Sequence, residues 1–378
     1  MEKGWLDLSI ANLSGMWSPR LSPGFAPDGT PILSVLAKRT YLFGPGGIAK
    51  PDDANAIPFF EADQFHGKGN PEADAPKQEM ELVDWKPLVD VVLHGLAHAP
   101  TGKLGQHFDV VVEVAGVRGA VRVFGNRKVD FSRGSVRFTD PEPFPSMPIH
   151  WGLAYGGVDR WTHPEVPMAF PPNPIGKGFA VDPPPHVLHG MELPNLENTQ
   201  KFLTPETFLV KKFDRWNGCP QPAALGWTPR RGYPRIAMAT SPPLHSPEAD
   251  KFRARISQNM PLALLDVPAP LPTHARNHLQ NNGAPSFLRL RSLQGNEPVA
   301  MGYMDPQHPR FEFTLPDDPP RGFLDLGEGM VELPMSLATV EIYKPTNQVT
   351  LVWRGSSRYP GAQWLAENPH LQFTVESA

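Results

Sequence analysis

Proline limits this chain more than any other residue, because 47 of its 378 residues are proline and a further 33 are glycine. Proline lacks the backbone donor that helix interiors and central strands require. Many short strands joined by extended connections are therefore favoured over a helical bundle. The 21 Phe, 9 Trp and 6 Tyr are too many aromatic residues for a disordered or collagen-like chain. A 40% apolar content is enough to bury a substantial core.

Charge and cysteine content narrow the possible partners and compartments. The 35 basic and 39 acidic residues nearly balance, without a basic block long enough to follow a phosphate backbone, so we expect no nucleic-acid partner. The single cysteine, Cys219, excludes an internal disulfide and suits a reducing compartment. The first residues do not resemble an export signal, and no window has the roughly 18 to 20 apolar residues of a membrane span. These features predict a cytoplasmic protein without a membrane partner.

Strand patterns occur at both ends of the chain. The clearest is a hairpin formed by residues 107–114 and 117–124 around Ala115-Gly116, and a second hairpin pairs 338–343 with 348–353. The remaining predicted strands share β-branched and aromatic content: 32–43, ended by a turn at 44–47, one starting at 48, then 88–97, 287–293, 299–304, 311–315 and 371–375.

Long irregular segments separate these strands. Residues 52–84 and 139–243 are rich in proline and predict ordered loops, and capping patterns predict short helices at 246–259 and 273–281. We predict a mainly β fold, either two packed antiparallel sheets or an open barrel, with long Pro-rich loops and one or two short helices. The predicted organisation is an N-terminal segment 1–29, a main domain 30–320 and a C-terminal β-hairpin extension 321–378 on the same globule.

Histidine pairs and one glycine-rich loop are the nearest approaches to metal or phosphate sites. His94 and His98 could face the same side of a strand, but two ligands do not make a zinc site, and structural roles are favoured. His274 and His278 would share a helix face without the glutamate of a metalloprotease. The loop 44–50 resembles a phosphate-binding loop, yet no Ser or Thr follows its lysine and no helix pattern follows it, so a turn is the better interpretation.

Nucleophilic motifs are equally weak. The sequence contains no Gly-x-Ser-x-Gly elbow, and Cys219 has no neighbouring basic residue that would lower its pKa. Acidic residues are plentiful, but the sequence does not reveal which two would face each other. We therefore assign no catalytic residue, metal or cofactor and predict that the protein is not an enzyme.

Four closely spaced signatures between residues 147 and 179 combine turn-forming residues with aromatics. They are Met147-Pro-Ile-His150, Ala154-Tyr-Gly-Gly157, Asn173-Pro-Ile-Gly176 and Gly176-Lys-Gly-Phe179. Aromatic residues, here including Phe170, anchor interfaces, and glycine lets a backbone approach closely. The candidate partner-binding residues are Trp151, Tyr155, Gly156, Gly157, Trp161, Asn173, Gly176 and Gly178. The alternative is a core of aromatic side chains wrapped by loops.

An ordered series of short motifs extends through most of the chain. It consists of Asp84-Trp-Lys-Pro87, Asp90-Val-Val-Leu-His-Gly-Leu-Ala97, Ala99-Pro-Thr-Gly102, Val123-Phe-Gly-Asn-Arg127, Met147-Pro-Ile149, Ala154-Tyr-Gly-Gly157, Asn173-Pro-Ile-Gly-Lys-Gly178, Leu193-Pro-Asn195 and Trp227-Thr-Pro-Arg230. This series resembles that of the bacterial domain-of-unknown-function 2169 family. Further matches are Val35-Leu-Ala-Lys-Arg-Thr-Tyr41 and Phe311-Glu-Phe-Thr-Leu-Pro316. Nine motifs in order are hard to obtain by chance, although each alone is weak.

The resemblance implies a function in type VI secretion. Members of the family act as cytoplasmic adaptors or chaperones that load a toxic effector onto the valine-glycine repeat spike or its tip protein. The expected partners are therefore an effector and a spike or tip protein, and the resemblance supplies no catalytic residues. The chain departs from the family after Arg230, where Arg235-Ile-Ala-Met-Ala-Thr240 replaces an expected glycine-threonine-tyrosine-aspartate segment, and partner choice could differ for that reason.

Two other functions stay open at this stage. One is a ligand-binding or structural β-module, with a small molecule or carbohydrate in a deep preformed pocket. The other is a hydrolase with two carboxyls in a cleft lined by Trp151, Tyr155 and Trp161, since aromatic side chains often form platforms for sugars.

Overall fold

The structure is a computed structural model that describes most of the chain. The described residues are 10–11, 16–26, 30–70, 73–83, 86–100, 104–209, 219–229, 282–360, 364 and 372–377. Within them, no helix has the length and apolar character needed to cross a membrane. The predicted helices 246–259 and 273–281 lie outside the described residues.

The largest sheet has seven strands and draws on both ends of the chain. Its members are β2 (Ser18–Phe25), β3 (Pro31–Leu42), β4 (Lys50–Pro51), β7 (Val89–His94), β19 (Arg289–Leu290), β24 (Ser336–Tyr343) and β25 (Gln348–Arg358). The order is β19-β7-β24-β25-β3-β2, and β4 pairs with the end of β3. The β24–β25 hairpin, predicted within a C-terminal extension, therefore lies in the middle of this sheet. Both long strands of its centre, β3 and β25, are buried along most of their length because both faces are covered.

One pairing in this sheet and one strand depart from the sequence expectations. The pair β7–β24 is parallel, within a sheet whose other pairs are antiparallel. Strand β2 was not predicted, because Pro19 and Pro23 interrupt its pattern. It lies at the edge of the sheet, where proline is tolerated because one side of the strand needs no pairing partner.

A five-stranded sheet contains the hairpin that the sequence predicts most clearly. Its order is β18-β10-β9-β20-β21, with β9 (His107–Val114), β10 (Val117–Phe124), β18 (Leu196–Asn198), β20 (Pro298–Gly302) and β21 (Arg310–Thr314). Ala115 and Gly116 both have positive φ, at 51° and 78°, as a two-residue turn of this hairpin type requires. The hairpin prediction is confirmed at 107–114 and 117–124.

The two larger sheets share one hydrophobic core. The main cluster of buried side chains contains Leu93 and Val340 from the seven-stranded sheet together with Val112 and Met301 from the five-stranded sheet. At one end Phe43 stacks on Phe313 with ring centroids 4.1 Å apart. A second, smaller cluster forms from the loops after residue 129 and includes Tyr155 and Phe170. The mainly β prediction is confirmed, and each of the larger sheets is open.

The remaining elements are short. A four-stranded sheet has the order β1-β26-β22-β23, with β1 (Ile10–Ala11), β22 (Pro320–Asp325), β23 (Met330–Leu333) and β26 (Gln372–Ser377). Five two-stranded pairs occur in the part of the chain that the structure describes. They join β5 (Gln64–Phe65) with β6 (Pro76–Gln78), β8 (Leu96–His98) with β13 (Ser146–Pro148), β11 (Val129–Asp130) with β12 (Arg137–Phe138), β14 (Tyr155–Gly156) with β17 (Lys177–Gly178), and β15 (Val158–Asp159) with β16 (Met168–Ala169). Helical turns among the described residues include α1 (Pro185–Leu188) and the 3-10 turns Asp53–Asn55, Trp151–Leu153, Ser286–Leu288 and Lys344–Thr346.

Two predicted strands are shorter than expected. The segment 88–97 divides into β7 and β8 because Gly95, with φ of 157°, interrupts the ladder beside the Met304 and Lys344 side chains. His94 and His98 therefore belong to different strands and do not share one strand face. The segment 287–293 contains a 3-10 turn and only two strand residues.

Candidate functional site

A cavity opens where strand β7 ends beside the end of β24. Its volume is about 600 Å³, within the usual range for small-molecule sites. Its most distinctive lining residues are three histidines. His66 follows β5, His94 is the last residue of β7, and His150 directly precedes the 3-10 turn Trp151–Leu153. Apolar walls come from Pro76, Leu93, Leu96, Pro148, Ile149 and Pro345, and the other lining residues are Lys77, Gln78, Gly95, Gly226, Tyr343 and Thr346.

His94 connects the cavity to a buried carboxylate. Its Nε2 lies 2.6 Å from Oε1 of Glu341, whose side chain is fully buried one strand away. The indole Nε1 of Trp227 donates to the same oxygen at 2.8 Å. Burial alone would raise the pKa of Glu341, but the hydrogen bond and charge of His94, followed by Lys38, outweigh it and the pKa is lowered. Glu341 is therefore ionised at neutral pH, and Nε2 of His94 is the donor.

A second series of hydrogen bonds fixes the tyrosine at the cavity wall. Nε2 of Gln78 donates to Oη of Tyr343 at 2.5 Å, and Oε1 of Gln78 accepts from Trp227 at 3.3 Å. The Tyr343 ring stacks on His94 with centroids 4.9 Å apart. Burial and the nearby charge of Glu341 raise the pKa of Tyr343 well above its usual value, so the phenol keeps its proton. The hydrogen-bonded side chains of His94, Glu341, Trp227, Gln78 and Tyr343 therefore hold this wall of the cavity in one arrangement.

The other two histidines form a stacked pair across the cavity. The rings of His66 and His150 lie 4.6 Å apart. Nδ1 of His150 accepts from the backbone N–H of Gly152 at 3.2 Å, which leaves Nε2 as the protonated nitrogen of the neutral ring. Burial, His66 and Lys177 lower the pKa of His150 to about 4. Burial, followed by His94 and Lys77, also lowers the pKa of His66, so both rings are neutral at neutral pH.

A buried ion pair lies beside Trp227 and connects strand β7 to a distant segment of the chain. Nζ of Lys86 donates to Oδ2 of Asp90 at 2.7 Å and lies over the Trp227 ring at 5.5 Å. The same carboxylate accepts the backbone N–H groups of Gly283 and Ala284 at 3.0 and 3.1 Å. Lys86 and Asp90 belong to the predicted motif series, and here they tie the segment after residue 282 to strand β7.

The predicted partner-binding aromatics occupy different environments. Trp151 and Tyr155 are buried at 6% and 0% exposure, and the fully buried Phe170 packs edge-on against Tyr155. Nε1 of Trp151 donates to the carbonyl of Gly226 at 2.9 Å, so this indole supports the cavity from behind. Trp161 alone among these four aromatics is exposed, at 52%. The core interpretation therefore fits three of the four, and a role in partner binding stays a prediction.

The amide and glycines of the same motifs form a tight junction. Nδ2 of the buried Asn173 donates to the carbonyls of Trp151 and Tyr155, both at 3.0 Å. A Cβ atom at Gly156 would lie 2.1 Å from the Asn173 carbonyl oxygen, and one at Gly176 would lie 2.4 Å from Asn173 Nδ2. These residues are required for close backbone approach. Gly157 and Gly178, the remaining predicted candidates, lie in the same crossing of loops and are buried.

Other residues considered from the sequence have structural surroundings. Cys219 is buried, and burial raises the pKa of its thiol, opposite to what a reactive cysteine requires. Residues 44–47 form a turn, as predicted, and its backbone also hydrogen-bonds to β21, which was not predicted. Within the described parts of the chain, no three metal-ligating side chains cluster in a way that could hold an ion. His274 and His278 lie outside the described residues.

Most of the cavity residues were not singled out by the sequence. His94 and His150 lie within the sequence motifs 90–97 and 147–150, and this was the only sequence signal for them. No motif includes His66, Lys77 or the neighbouring Glu341. Glu341 is 247 positions from its partner His94, and only the parallel pairing of β7 with β24 brings them together.

A comparison of the chain with protein families agrees with the motif series. A family model described as "Uncharacterized protein conserved in bacteria (DUF2169)" matches residues 28–354. The chain belongs to this family. All the cavity residues of this DUF2169 protein lie inside the matched region, and so does the β24–β25 hairpin except the last residues of β25. No curated protein and no solved structure gave a significant match.

Proposed function

We propose that this DUF2169 protein is a non-catalytic cytoplasmic adaptor that binds a type VI secretion effector and helps to load it onto the spike or its tip protein. The proposal is supported by membership of the family and by the ordered motifs, whose resemblance implies that role. An adaptor needs preformed surfaces that expose apolar side chains to a partner. The exposed Trp161 is the structural observation on which the proposal depends.

Trp161 lies on the connection between β15 and β16 in a loop that is held rigidly. The buried carboxylate of Asp159 accepts the backbone N–H of Trp161 at 2.8 Å and of Thr162 at 2.9 Å, and it also accepts the Thr162 hydroxyl at 2.6 Å. It further accepts the N–H of Val181 at 2.7 Å, which ties the loop to the molecule. Although burial alone would raise the pKa of Asp159, these hydrogen bonds outweigh it and lower the pKa.

A rigid loop with an outward-facing indole suits an interface anchor. Tryptophan is the residue most enriched among interface hot spots, and little conformational entropy is lost on binding when the loop is already ordered. Val166, on the same loop, is a second exposed apolar side chain, at 68% exposure. We assign the Trp161–Val166 loop to one of the two partners.

The edge strand β23 offers a second apolar surface for the other partner. Met330 and Val331 are 45% and 60% exposed, and among the described residues β23 pairs only with β22. An unpaired strand edge with exposed apolar side chains can accept an extended segment of another protein. Two separate surfaces are what a protein joining an effector to a spike requires.

The test is affinity capture of the full chain from its native host, followed by mass spectrometry after a high-salt wash. We expect a spike protein, a tip protein or a large effector to remain bound. Trp161→Ala should weaken the affinity for one of them about 30-fold and so reduce its recovery, since hot-spot tryptophans contribute about 2 kcal/mol or more. Leu104→Ala is the matched control, because Leu104 is also exposed, at 64%, and lies on neither surface. A partnerless monomer, or equal recovery with both variants, would contradict the proposal.

The cavity favours a second candidate function, a module that binds a small molecule or carbohydrate. A preformed site of about 600 Å³ with fixed polar groups is the specific observation in its favour. The two functions do not exclude each other, because the cavity residues differ from those of the Trp161–Val166 loop and of β23.

A further inference from the structure

The charge of the cavity lining is one-sided. Among the described residues that line it, the ionisable side chains are the three histidines, Lys77 and the protonated Tyr343, and no aspartate or glutamate is present. Lys77 is exposed and has no ion-pair partner within the described residues. An anionic group entering the cavity would therefore meet a cation and several donors, but no carboxylate at the wall.

The buried Glu341 lies behind His94 and is not one of the residues that line the cavity. Its Oε1 already accepts from both His94 and Trp227, and its side chain is fully buried. Asp74, the acidic residue close to His66, is held by its own turn, where it accepts the backbone N–H groups of Lys68 and Asn70 at 3.0 and 2.8 Å. Lys177, which acts on His150, is paired with Glu192 at 3.4 Å.

The imidazoles of His66 and His150 are both uncharged at neutral pH because the pKa of each ring is lowered. His150 uses Nδ1 for the Gly152 N–H, so its Nε2–H is the remaining donor. The His66 side chain stacks on His150 and makes no hydrogen bond with the described residues. Burial, followed by His94 and Lys77, lowers the pKa of His66 and disfavours its protonation, whereas a bound anion would favour it. Anion binding would thus be reinforced by proton uptake.

Most of the other lining residues are apolar. Leu93, Leu96 and Ile149, with three prolines, surround the stacked ring pairs His66–His150 and His94–Tyr343. Planar or apolar groups pack well on such surfaces. A fully hydrated inorganic anion would leave this wall unused.

We propose that the histidine-lined cavity binds a carboxylate attached to an apolar or aromatic group. The carboxylate would lie at Lys77 and the imidazoles of His66 and His150, and the apolar part would pack against the exposed lining residues Leu96, Pro148 and Pro345. A free small carboxylic acid and the C-terminal residue of a polypeptide present the same chemistry. The proposal goes beyond the adaptor function and does not depend on it.

The test is isothermal titration calorimetry of the full-length protein at pH 7 with two matched pairs of probes. Phenylacetate is compared with phenylacetamide, and N-acetyl-Ala-Ala-Phe with a free C-terminus is compared with its amide. We expect at least one acid to bind about tenfold or more tightly than its amide, since a charge-assisted hydrogen bond contributes more than a neutral one. Tighter binding by the tripeptide acid identifies a polypeptide C-terminus as the source, and tighter binding by phenylacetate identifies a small acid.

Two variants separate cavity binding from surface attraction. Lys77→Gln, in β6, should weaken binding of the acid about tenfold. Lys68→Gln, at an exposed lysine on the β5–β6 connection outside the lining, should leave binding unchanged. The NMR pKa of His66 should rise when the acid is bound. Equal binding of acid and amide, equal effects of both lysine variants, or no binding of either acid up to about 10 mM would overturn the proposal.

Discussion

Asp90 is the residue at which a single substitution should destabilise the molecule most clearly. Its side chain is fully buried and accepts hydrogen bonds from Lys86, from Asn282 and from the backbone of Gly283 and Ala284. Asp90→Ala removes the carboxylate that neutralises the Lys86 ammonium, itself only 4% exposed. The two backbone N–H groups lose their acceptor at the same time.

The expected loss follows from these contacts. Breaking a buried ion pair by removing one partner costs about 3 to 5 kcal/mol, and each buried donor left without an acceptor adds about 1 to 3 kcal/mol. Because relaxation and water entry recover part of this, we expect Asp90→Ala to lower the free energy of unfolding by about 5 kcal/mol. That is a large fraction of the roughly 5 to 15 kcal/mol that holds a typical domain together.

The assay is urea unfolding followed by tryptophan fluorescence, in which Trp227 above Lys86 reports on the same region. Asp90→Asn, which keeps an acceptor and the shape but loses the charge, should cost less than Asp90→Ala. Adding Lys86→Met to Asp90→Asn should recover part of the loss because the buried positive charge is then removed as well. Asp140→Ala, at an exposed aspartate, is the control. A loss below about 1 kcal/mol for Asp90→Ala, or no recovery in the double variant, would refute the reasoning.

Two further predictions concern the loop junction and the cavity. Gly156→Ala should lower the free energy of unfolding by about 3 kcal/mol, because its φ is 148° and the new Cβ would lie 2.1 Å from the Asn173 carbonyl oxygen. Gly134→Ala, where φ is positive but nothing lies within 4 Å, should cost only about 1 kcal/mol in the same urea assay, and equal losses would contradict the steric argument. In an NMR titration, His150 should show a pKa of about 4, against 6.5 for the unfolded chain. Since the unfolded state then binds more protons between these values, the contribution of His150 to stability is complete above pH 6.5 and is lost as the pH falls toward 4, and an NMR pKa near 6.5 would show that the ring is solvated.

Local patterns were sufficient for several elements of the fold. The β9–β10 hairpin follows from alternation and from the Ala115-Gly116 turn, and the β24–β25 hairpin from two β-branched runs around a short connection. Both depend on neighbours in sequence, so their registers could be expected. Strand β2 was missed because its prolines are acceptable only at a sheet edge, and edge position is a property of the assembled sheet.

The candidate site, like the fold, combines features that local sequence predicts with features that depend on the tertiary structure. Sequence alone determined that the protein would be rich in β structure, would contain few reactive motifs, and would carry an ordered motif series typical of one bacterial family. It did not determine that His66, His94 and His150 would meet, or that Glu341 would lie behind them, because these contacts join strands and connections far apart in the sequence. Trp151 and Tyr155 are buried and Trp161 is exposed, although all three belong to one aromatic cluster in the sequence, which does not indicate the difference. Local sequence encodes backbone preference through neighbouring residues, whereas burial, long-range pairing and the environment of each charge exist only once the sheets have packed together.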